Sequence, residues 1–286
     1  MIHSTSGFFL FLPAEAPWRA LLAGVFISRL LGAADEQPRR FAPTYAASTV
    51  VHAASQQSGT FAPNTIVTLY GRELASVSRP VRDADIRDGL LPTELPGTGV
   101  RVLVEGQPVP LYYVSPTQVN LLLPASLKPG LRRLQLALDG RTGPAIEIHV
   151  GAAAPGLFLA QPGWALAVRL DGSLVTNERP AAPGNVLILF ATGLGAVMGP
   201  LPRIGEVAQQ AALLDAAGAF TVLLNGEPVA AEHLFDAGLA PGFAGLYQIN
   251  LHVPPGTPAN PEIRLRTGEE AVTSAGGVRL AVTGLP

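Results

Sequence analysis

The chain has 286 residues, a formal net charge of −2 and no cysteine. Its length suits two domains of roughly 100–150 residues, its charge lacks the basic footprint of a nucleic-acid binder, and the missing cysteines exclude disulfides, thiolate metal sites and cysteine nucleophiles. Because 31 glycines and 27 prolines are spread along the chain, turns should be frequent and long helices scarce, which favours an all-β protein.

Residues 1–34 have the order of a probable signal peptide. Arg19 precedes an apolar run at 20–28, and three small residues follow at 32–34. This order predicts export with cleavage after position 34, although Arg29 interrupts the apolar run and leaves a buried or amphipathic helix as the alternative. No other stretch approaches the roughly 20 apolar residues of a membrane span. We therefore expect a secreted or cell-surface protein whose mature chain has no membrane span.

Two blocks of the sequence occur twice at one spacing. The block "APNTIVTLYG" at 62–71 corresponds to "APGNVLILFA" at 182–191, which lies 120 residues later. The block "VLVEGQPV" at 102–109 corresponds to "VLLNGEPV" at 222–229, again 120 residues later. A period of this length exceeds the roughly 20–50 residues of solenoid units and matches a duplicated domain.

A third pair of blocks, "SPTQVNLLLP" at 115–124 and "GLYQINLHVP" at 245–254, lies 130 residues apart. The second copy therefore holds ten extra residues between Val229 and Tyr247, and an insertion within a repeated unit is normally a loop. Apolar residues alternate along each block and should face a core: Val119, Leu121 and Leu123 in the first copy, and Ile249, Leu251 and Val253 in the second.

Short strand-like runs with turn chemistry every 8–12 residues are typical of a sandwich. We predict an all-β protein with two tandem immunoglobulin-like β-sandwich domains and a connecting hairpin. The predicted divisions are an N-terminal linker with a possible first strand at 35–60, a first sandwich at 61–160, a hairpin about Asp171-Gly172 at 161–180, and a second sandwich at 181–286. Residues 205–219 fit a short helix and a loop with one helical turn equally well.

Five motifs in order carry a family resemblance: "FAPNTIVTLYGRELA", "LPTELPGTGVRVLVEGQPVPLYYVSPTQVNLLLP", "AAPGLF", "LFATGLG" and "AGLAPGFAGLYQINLHVP". Over about residues 41–284 this set resembles an uncharacterised C-terminal domain family of secreted, mainly acidobacterial proteins. The "IVTLYGRELA" portion resembles the start of an IPT/TIG-type immunoglobulin-like domain. The resemblance implies the fold and export, and it transfers no catalytic residue.

The usual catalytic signatures are absent from the sequence, which has no nucleophile elbow, zincin helix, P-loop or dinucleotide-binding glycine pattern. The histidines do not fall at metal-ligand spacing, and two of them, His149 and His252, lie in strand patterns where solvent-facing or cross-strand roles are common. The full set is His3, His52, His149, His233 and His252. We therefore expect no enzymatic activity and no cofactor.

The stretch "DADIRDG" at 83–89 is a weak candidate for a metal site. Asp83, Asp85 and Asp88 offer the oxygen ligands that a hard cation such as Ca²⁺ prefers. Their spacing departs from the EF-hand pattern, and Arg87 takes the place of an expected ligand. We therefore favour a solvated loop with Arg–Asp pairs over a metal site.

Four amide side chains repeat between the copies on the face opposite the apolar residues: Gln118, Asn120, Gln248 and Asn250. Asparagine is depleted in strands, so its repeated presence implies a bonding partner. We expect these amides to bond mainly to main-chain groups within their own domains. The alternative is a polar, sugar-binding sheet face shared with Tyr112, Tyr113 and Tyr247.

The extra segment of the second copy, "EHLFDAGLAPGFAGLY" at 232–247, is unusually apolar for a loop. We expect Phe235 and Phe243 to be largely buried, at least one of them against residues outside the core of the second sandwich. The alternative is an exposed apolar patch that contacts a partner.

Together these patterns favour an exported, non-catalytic binding or adhesion module, with carbohydrate or another surface protein as the candidate partner. One alternative is a structural spacer or assembly module of a surface protein. Another is an extracellular hydrolase with an interdomain site, which would have a deep cleft gathering His, Asp or Glu from both copies.

Overall fold

The computed structural model describes residues 42–215, 219–268 and 270–284. Within these ranges the chain forms short β-strands and three-residue 3-10 turns, and it has no α-helix. No helix in the described ranges is long and apolar enough to cross a membrane. The predicted signal peptide at 1–34 lies outside the described residues.

The strands of the first half are β1 (Val50–His52), β2 (Thr60–Phe61), β3 (Ile66–Tyr70), β4 (Arg79–Pro80), β5 (Val100–Val104), β6 (Gln107–Pro108), β7 (Leu111–Val114), β8 (Gln118–Leu122), β9 (Gly130–Leu138), β10 (Arg141–Thr142) and β11 (Ile146–Val150). They form two sheets, a front sheet in the order β1-β3-β8-β7-β4 and a back sheet in the order β2-β11-β9-β5-β6, with β10 on β9. Alternate residues of both sheets bury one apolar core, which defines the first sandwich.

The strands of the second half are β12 (Gly156–Leu157), β13 (Leu159–Gln161), β14 (Trp164–Ala165), β15 (Ala167–Arg169), β16 (Val186–Thr192), β17 (Ala212–Leu213), β18 (Thr221–Leu224), β19 (Glu227–Pro228), β20 (Leu234–Leu239), β21 (Tyr247–His252), β22 (Ile263–Thr267) and β23 (Val272–Thr273). The front sheet is β12-β16-β21-β20-β17 with β15 also on β16, and the back sheet is β19-β18-β22-β23. A second core lies between them. The fold-class prediction of two tandem immunoglobulin-like sandwiches is confirmed.

The alternation along the repeated blocks is also confirmed. In β8 and the residue after it, Val119, Leu121 and Leu123 belong to the first core. Their counterparts in and after β21 belong to the second core: Ile249, Leu251 and Val253. Because successive side chains of a strand point to opposite faces, the amides between these residues lie on the outer face of each front sheet.

Strand registers show that the two halves share one topology. The β3–β8 pair places Thr68 opposite Asn120, and the β16–β21 pair places Ile188 opposite Asn250. The next strand carries a bulge at the same point in both copies, between Leu111 and Tyr113 in β7 and between Leu234 and Asp236 in β20. Tyr112 and Phe235 are therefore equivalent bulge residues. The ten extra residues lie on both sides of this bulge, with three before the bulge residue and seven between it and the repeated glutamine.

Two local predictions have different outcomes. The hairpin about Asp171-Gly172 forms, because Val168 bridges Leu174 across it, and its arm β15 pairs with β16 in the second front sheet. The helix considered for 205–219 is wrong over 205–215, where the chain is irregular apart from β17. The predicted boundaries at 61, 161 and 181 stay predictions, although β1 already belongs to the first front sheet.

A third buried apolar cluster lies between the two sandwiches. It joins the outer face of the first front sheet, through Ile66, Tyr112 and Leu122, to residues of the second half. The contributions from the second half are Phe158, Leu166, Val168, Ile188, Phe190, Val207, Ala240, Ala244 and Leu246. The two front sheets therefore present their outer faces to the junction, and the repeated amides lie on those faces.

Candidate functional site

The junction is held first by Tyr112, the bulge residue of β7. Its hydroxyl donates to the carbonyl of Ala244 in the insertion and accepts from the Ala244 N–H at 3.2 Å. Burial raises the pKa of Tyr112 far above its usual value, and the bond to the Ala244 main chain opposes this rise only partly. The side chain is therefore neutral, and it satisfies both main-chain groups of one residue across the junction.

A second polar contact runs through Thr192 at the end of β16. Its hydroxyl donates to the Gly245 carbonyl at 2.7 Å and accepts from the Ile66 N–H at 3.1 Å. Gly245 has a φ of +65°, and a Cβ at this position would overlap Leu122 and the main chain of Asn64. Only glycine fits this approach of the insertion to the first sandwich.

The third contact is His52 in β1, which is 4% exposed. Its Nδ1 accepts from the Ala54 N–H at 3.2 Å and lies 3.4 Å from the Ser55 nitrogen, so Nε2 carries the proton and donates to the Ala154 carbonyl at 3.0 Å. A Cβ on Gly156 would overlap the ring. Burial lowers the pKa of His52 to about 4, against the opposing effect of main-chain bonds to Ala154 and Thr192.

Next to these contacts a cleft of about 680 Å³ opens between the sandwiches. The first half contributes His52, Ser55, Gln57, Ser58, Thr60, His149 and the segment 151–155. The second half contributes the segment 194–196, Leu214, Asp215, Thr267, Gly268, Glu270, Val272, Thr273 and Ala275. The volume is that of a small-ligand site, and the walls come from both copies.

Two buried hydroxyl groups hydrogen-bond to main-chain carbonyls of the wall that the second half contributes. Tyr247 in β21 donates to the Gly195 carbonyl at 2.6 Å, and Thr267 in β22 donates to the Leu194 carbonyl at 3.3 Å. Burial raises the pKa of Tyr247 to about 12, with a bond to Asn64 acting in the other direction. A neutral phenol therefore supports the main chain that lines the cleft.

The described lining combines hydroxyls, an amide, imidazoles and two carboxylates, and it includes no Arg or Lys. Asp215 and Glu270 bring negative charge from the second sandwich. On the first wall the Thr60 hydroxyl lies 3.0 Å from His149 Nδ1, across the parallel pair of β2 and β11. His149 is exposed and contacts Thr60 on the neighbouring strand, so it has both of the roles considered for it, solvent-facing and cross-strand.

The Asp83, Asp85 and Asp88 loop shows the Arg–Asp pairing that the sequence favoured. Asp85 accepts from Arg79 at 2.8 Å and from the Arg82 N–H at 2.8 Å. The pKa of Asp85 is lowered, chiefly by the bond to Arg79. Among the described residues no group of three or more His, Asp or Glu side chains is arranged to hold a metal ion.

The four repeated amides are buried and pair within each copy. Gln118 Nε2 donates to Asn120 Oδ1 at 2.9 Å, and Gln248 Nε2 donates to Asn250 Oδ1 at 3.4 Å. Asn250 Nδ2 is buried without a hydrogen-bond partner among the described residues. Bonding of these amides mainly to the main chain stays a prediction.

The alternative of an open sugar-binding face with Tyr112, Tyr113 and Tyr247 is wrong. The three rings are 8%, 8% and 0% exposed. The outer faces of the front sheets pack at the junction, so they offer no open surface at these positions.

The two phenylalanines of the insertion differ in their exposure to solvent. Phe243 packs against the interdomain cluster, but Phe235 is 49% exposed, so the expectation that both rings are largely buried is wrong for Phe235. The Phe235 ring stacks on His252 at 6.1 Å between centroids, and His252 Nδ1 lies 2.8 Å from His233 Nδ1. The bulge of β20 points this ring to a surface that the first sandwich does not cover.

The sequence named Tyr112 and His52 without predicting the partners that they have at the junction. Tyr112 and Ala244 are 132 positions apart, and no local pattern connects them. His52 lies in a short apolar strand, where a lone histidine gives no sign of its partners. The usable signal was the apolar insertion, whose Ala244 and Leu246 are buried at the junction.

Comparisons with known proteins give weak matches. No protein-family model matches the chain, and no curated protein matches it, so the resemblance to a secreted-protein family stays an expectation. SGBP-B of the Bacteroides ovatus mixed-linkage glucan utilization locus, in complex with a mixed-linkage heptasaccharide, has a TM-score of 0.32 and 13% identity over 85% of this chain and 45% of its own. The chain thus spans less than half of that protein.

Two further solved structures have similar coverage of this chain. Domains 5–6 of the S-layer protein SbsC have a TM-score of 0.26 and 10% identity over 85% of this chain and 100% of that one. Tandem immunoglobulin repeats of Dlar have a TM-score of 0.21 and 10% identity over 79% of this chain and 92% of that one. Scores this low support no functional argument, and the fold assignment rests on the strand topology.

Proposed function

We propose that the chain is a secreted or cell-surface, non-catalytic binding module that holds its ligand in the cleft between its two sandwiches. The observation that carries the proposal is the cleft itself, which has a volume of about 680 Å³ and walls from both copies. Clefts at domain interfaces are a preferred place for ligand sites.

The contacts beside the cleft support this proposal. Tyr112, Thr192 and His52 each bond to main-chain groups across the junction or at its edge. A ligand therefore meets walls that are already in position, and a pre-organised site loses less conformational entropy on binding than a mobile one. Export is supported by the order of residues 1–34.

The lining favours a neutral, hydroxyl-rich ligand such as a segment of a glycan. Ser58, Thr60 and Gln57 offer donors and acceptors, and the carboxylates of Asp215 and Glu270 accept hydrogen bonds from hydroxyl groups. The described lining has no Arg or Lys side chain for a phosphate or carboxylate group of a ligand, which disfavours an anionic ligand.

A hydrolase is the second candidate because the cleft gathers ionisable residues from both copies: His52, His149, Asp215 and Glu270. His52 is poorly suited to a general base, since both of its ring nitrogens are engaged with the main chain. The remaining candidate pair is Thr60 with His149, whose side chains lie 3.0 Å apart. The spacer alternative predicts that the cleft binds no ligand.

A glycan array probed with the purified chain tests the proposal. We expect binding to a defined set of glycans, and loss of that binding in the double variant Asp215→Asn, Glu270→Gln, which keeps the side-chain shapes. The matched control is Asp171→Asn, Glu227→Gln, which removes the same charge from exposed positions outside the cleft lining.

The outcomes separate the candidates. Glycan binding that persists in the control variant and is lost in the cleft variant supports the binding module. An array without any binding supports the spacer, and release of reducing sugar from a bound glycan, abolished by His149→Ala, supports the hydrolase.

A further inference from the structure

His52 lies where the first sandwich, the interdomain segment and the second sandwich meet. Its strand, β1, pairs with β3 of the first sandwich. Its ring contacts Ala154 between the sandwiches and packs against Gly156 of the second. The same ring lines the cleft. A change in the ring is therefore transmitted directly to one wall of the cleft.

We propose that His52 is an acid-sensitive latch that holds the two cleft walls together while its ring is neutral and releases them when the ring is protonated. The role of this latch in regulating ligand access rests on the proposed function. The movement of the walls is independent of the proposed function, because it depends only on the contacts of His52.

The geometry gives the physical reason. Nδ1 accepts from the Ala54 N–H and faces the Ser55 N–H. Protonation places a new N–H on Nδ1, so that donors point at donors, and it adds a positive charge to a side chain that is only 4% exposed. Nε2 donates in both forms, so the new conflict arises at Nδ1. Relief of this conflict requires the ring to leave its place against Ala154, Gly156 and Gly193, which connect the first sandwich to the second.

The charged surroundings do not relieve this conflict. The segments that contact the ring, 53–57, 152–156 and 192–195, contain no Asp, Glu, Lys or Arg. Among the described residues, the other titratable groups that line the cleft are His149, Asp215 and Glu270, and the hydrogen bonds of the ring go to main-chain groups.

The pKa of His52 is about 4 in the closed junction. A ring that reaches water has a pKa of about 6.5. By linkage, acid therefore favours the released state by up to about 300-fold, with the change beginning as the pH falls through 6.5 and ending below 4.

Distance measurement across the cleft tests the latch. The chain has no cysteine, so Ser58→Cys and Thr273→Cys, one on each wall, accept nitroxide labels at defined positions. We expect one narrow distance distribution by electron–electron double resonance at pH 7.5 and an added, longer population at pH 4.0. The same labels with His52→Gln, whose side chain does not titrate, should give one distribution at both pH values.

The control is His149→Gln, which removes the other histidine of the cleft and should keep the pH response. An unchanged distribution at pH 4.0, or an equal response in His52→Gln, overturns the proposal. Where His52→Gln does not fold, hydrogen exchange of the unsubstituted chain gives the answer. The Ala54 amide should lose protection at pH 4.0 relative to the core amide of Val119, and retained protection also overturns the proposal.

This experiment is independent of ligand binding. Walls that move with pH in a chain that binds no glycan would contradict the proposed function alone. Glycan binding with walls that do not respond to pH would contradict the latch alone.

Discussion

Tyr112 and Phe235 occupy equivalent bulges and have opposite surroundings. Tyr112 is buried and bonds to Ala244 of the second copy. Phe235 is half exposed and stacks on His252. A bulge leaves one residue outside the strand pairing and directs its side chain away from the ladder. The duplicated geometry therefore serves the internal junction in one copy and faces solvent in the other.

Removal of the Tyr112 hydroxyl should destabilise the chain. Tyr112→Phe leaves the Ala244 N–H and carbonyl buried without this partner, which should lower the free energy of unfolding by about 1–3 kcal/mol. Phe235→Leu at the equivalent bulge should change it by about 0.5 kcal/mol or less, since the ring is exposed. Urea unfolding of both variants gives the comparison, and similar losses would show that Tyr112 does not hold the junction.

The repeated asparagines should differ in a measurable way. Asn120→Ala removes the acceptor of the 2.9 Å bond from Gln118 Nε2, and removing one partner of a buried hydrogen bond costs about 1–3 kcal/mol. Asn250→Ala removes the acceptor of Gln248 Nε2 but also removes the buried, unpaired Nδ2 of Asn250. Its loss of stability should therefore be the smaller of the two in urea unfolding. A larger loss for Asn250→Ala would contradict this account of the amides.

At the scale of elements, the insertion after β20 decides how the two copies meet. The first copy joins β7 to β8 with three residues, 115–117, whereas the second joins β20 to β21 with seven, 240–246. The longer connection places Ala244, Gly245 and Leu246 against the outer face of the first front sheet. The insertion thus converts two similar sandwiches into one joined body.

A substitution at Gly245 isolates this contact. Gly245→Ala combines a strained positive φ with overlap against Leu122 and should cost about 2–4 kcal/mol. Gly226→Ala also has a positive φ, of +86°, but its Cβ meets open space, so its cost should be about 1–2 kcal/mol from strain alone. Thermal unfolding of both variants measures the difference. Equal shifts in Tm would mean that the contact with the first sandwich contributes nothing.

The core faces and the duplication could be predicted from the sequence, because they depend on local periodicity and on repeated blocks. Alternation along β8 and β21 identified both core faces, because a strand places every second side chain on one side. The 120-residue offset identified the duplication. The junction was not predictable, because the approach of Ala244 to Tyr112 depends on the relative orientation of two sandwiches. The cleft follows from the same orientation, so its residues from positions 52 to 275 have no common sequence signal.

At the scale of the whole molecule, the buried neutral His52 should make stability depend on pH. Its pKa is about 4 when folded and about 6.5 when unfolded, so the unfolded chain binds more protons between these values. This contribution is fully present above pH 6.5 and is lost as the pH falls to 4, for a total of about 3 kcal/mol. Urea unfolding at pH 7.5 and 4.0 should show this loss in the unsubstituted chain and a smaller loss in His52→Gln. The same loss in both would assign the pH dependence to other groups.

We propose that one ligand contacts both sandwiches in the cleft between them. The most direct test is the map of amide chemical-shift changes in the NMR spectrum when the best glycan from the array is added. We expect changes on both walls together, near Ser58 and Thr60 of the first half and near Gly195 and Thr273 of the second. Changes confined to one sandwich, or centred on Phe235 and His252, would contradict it.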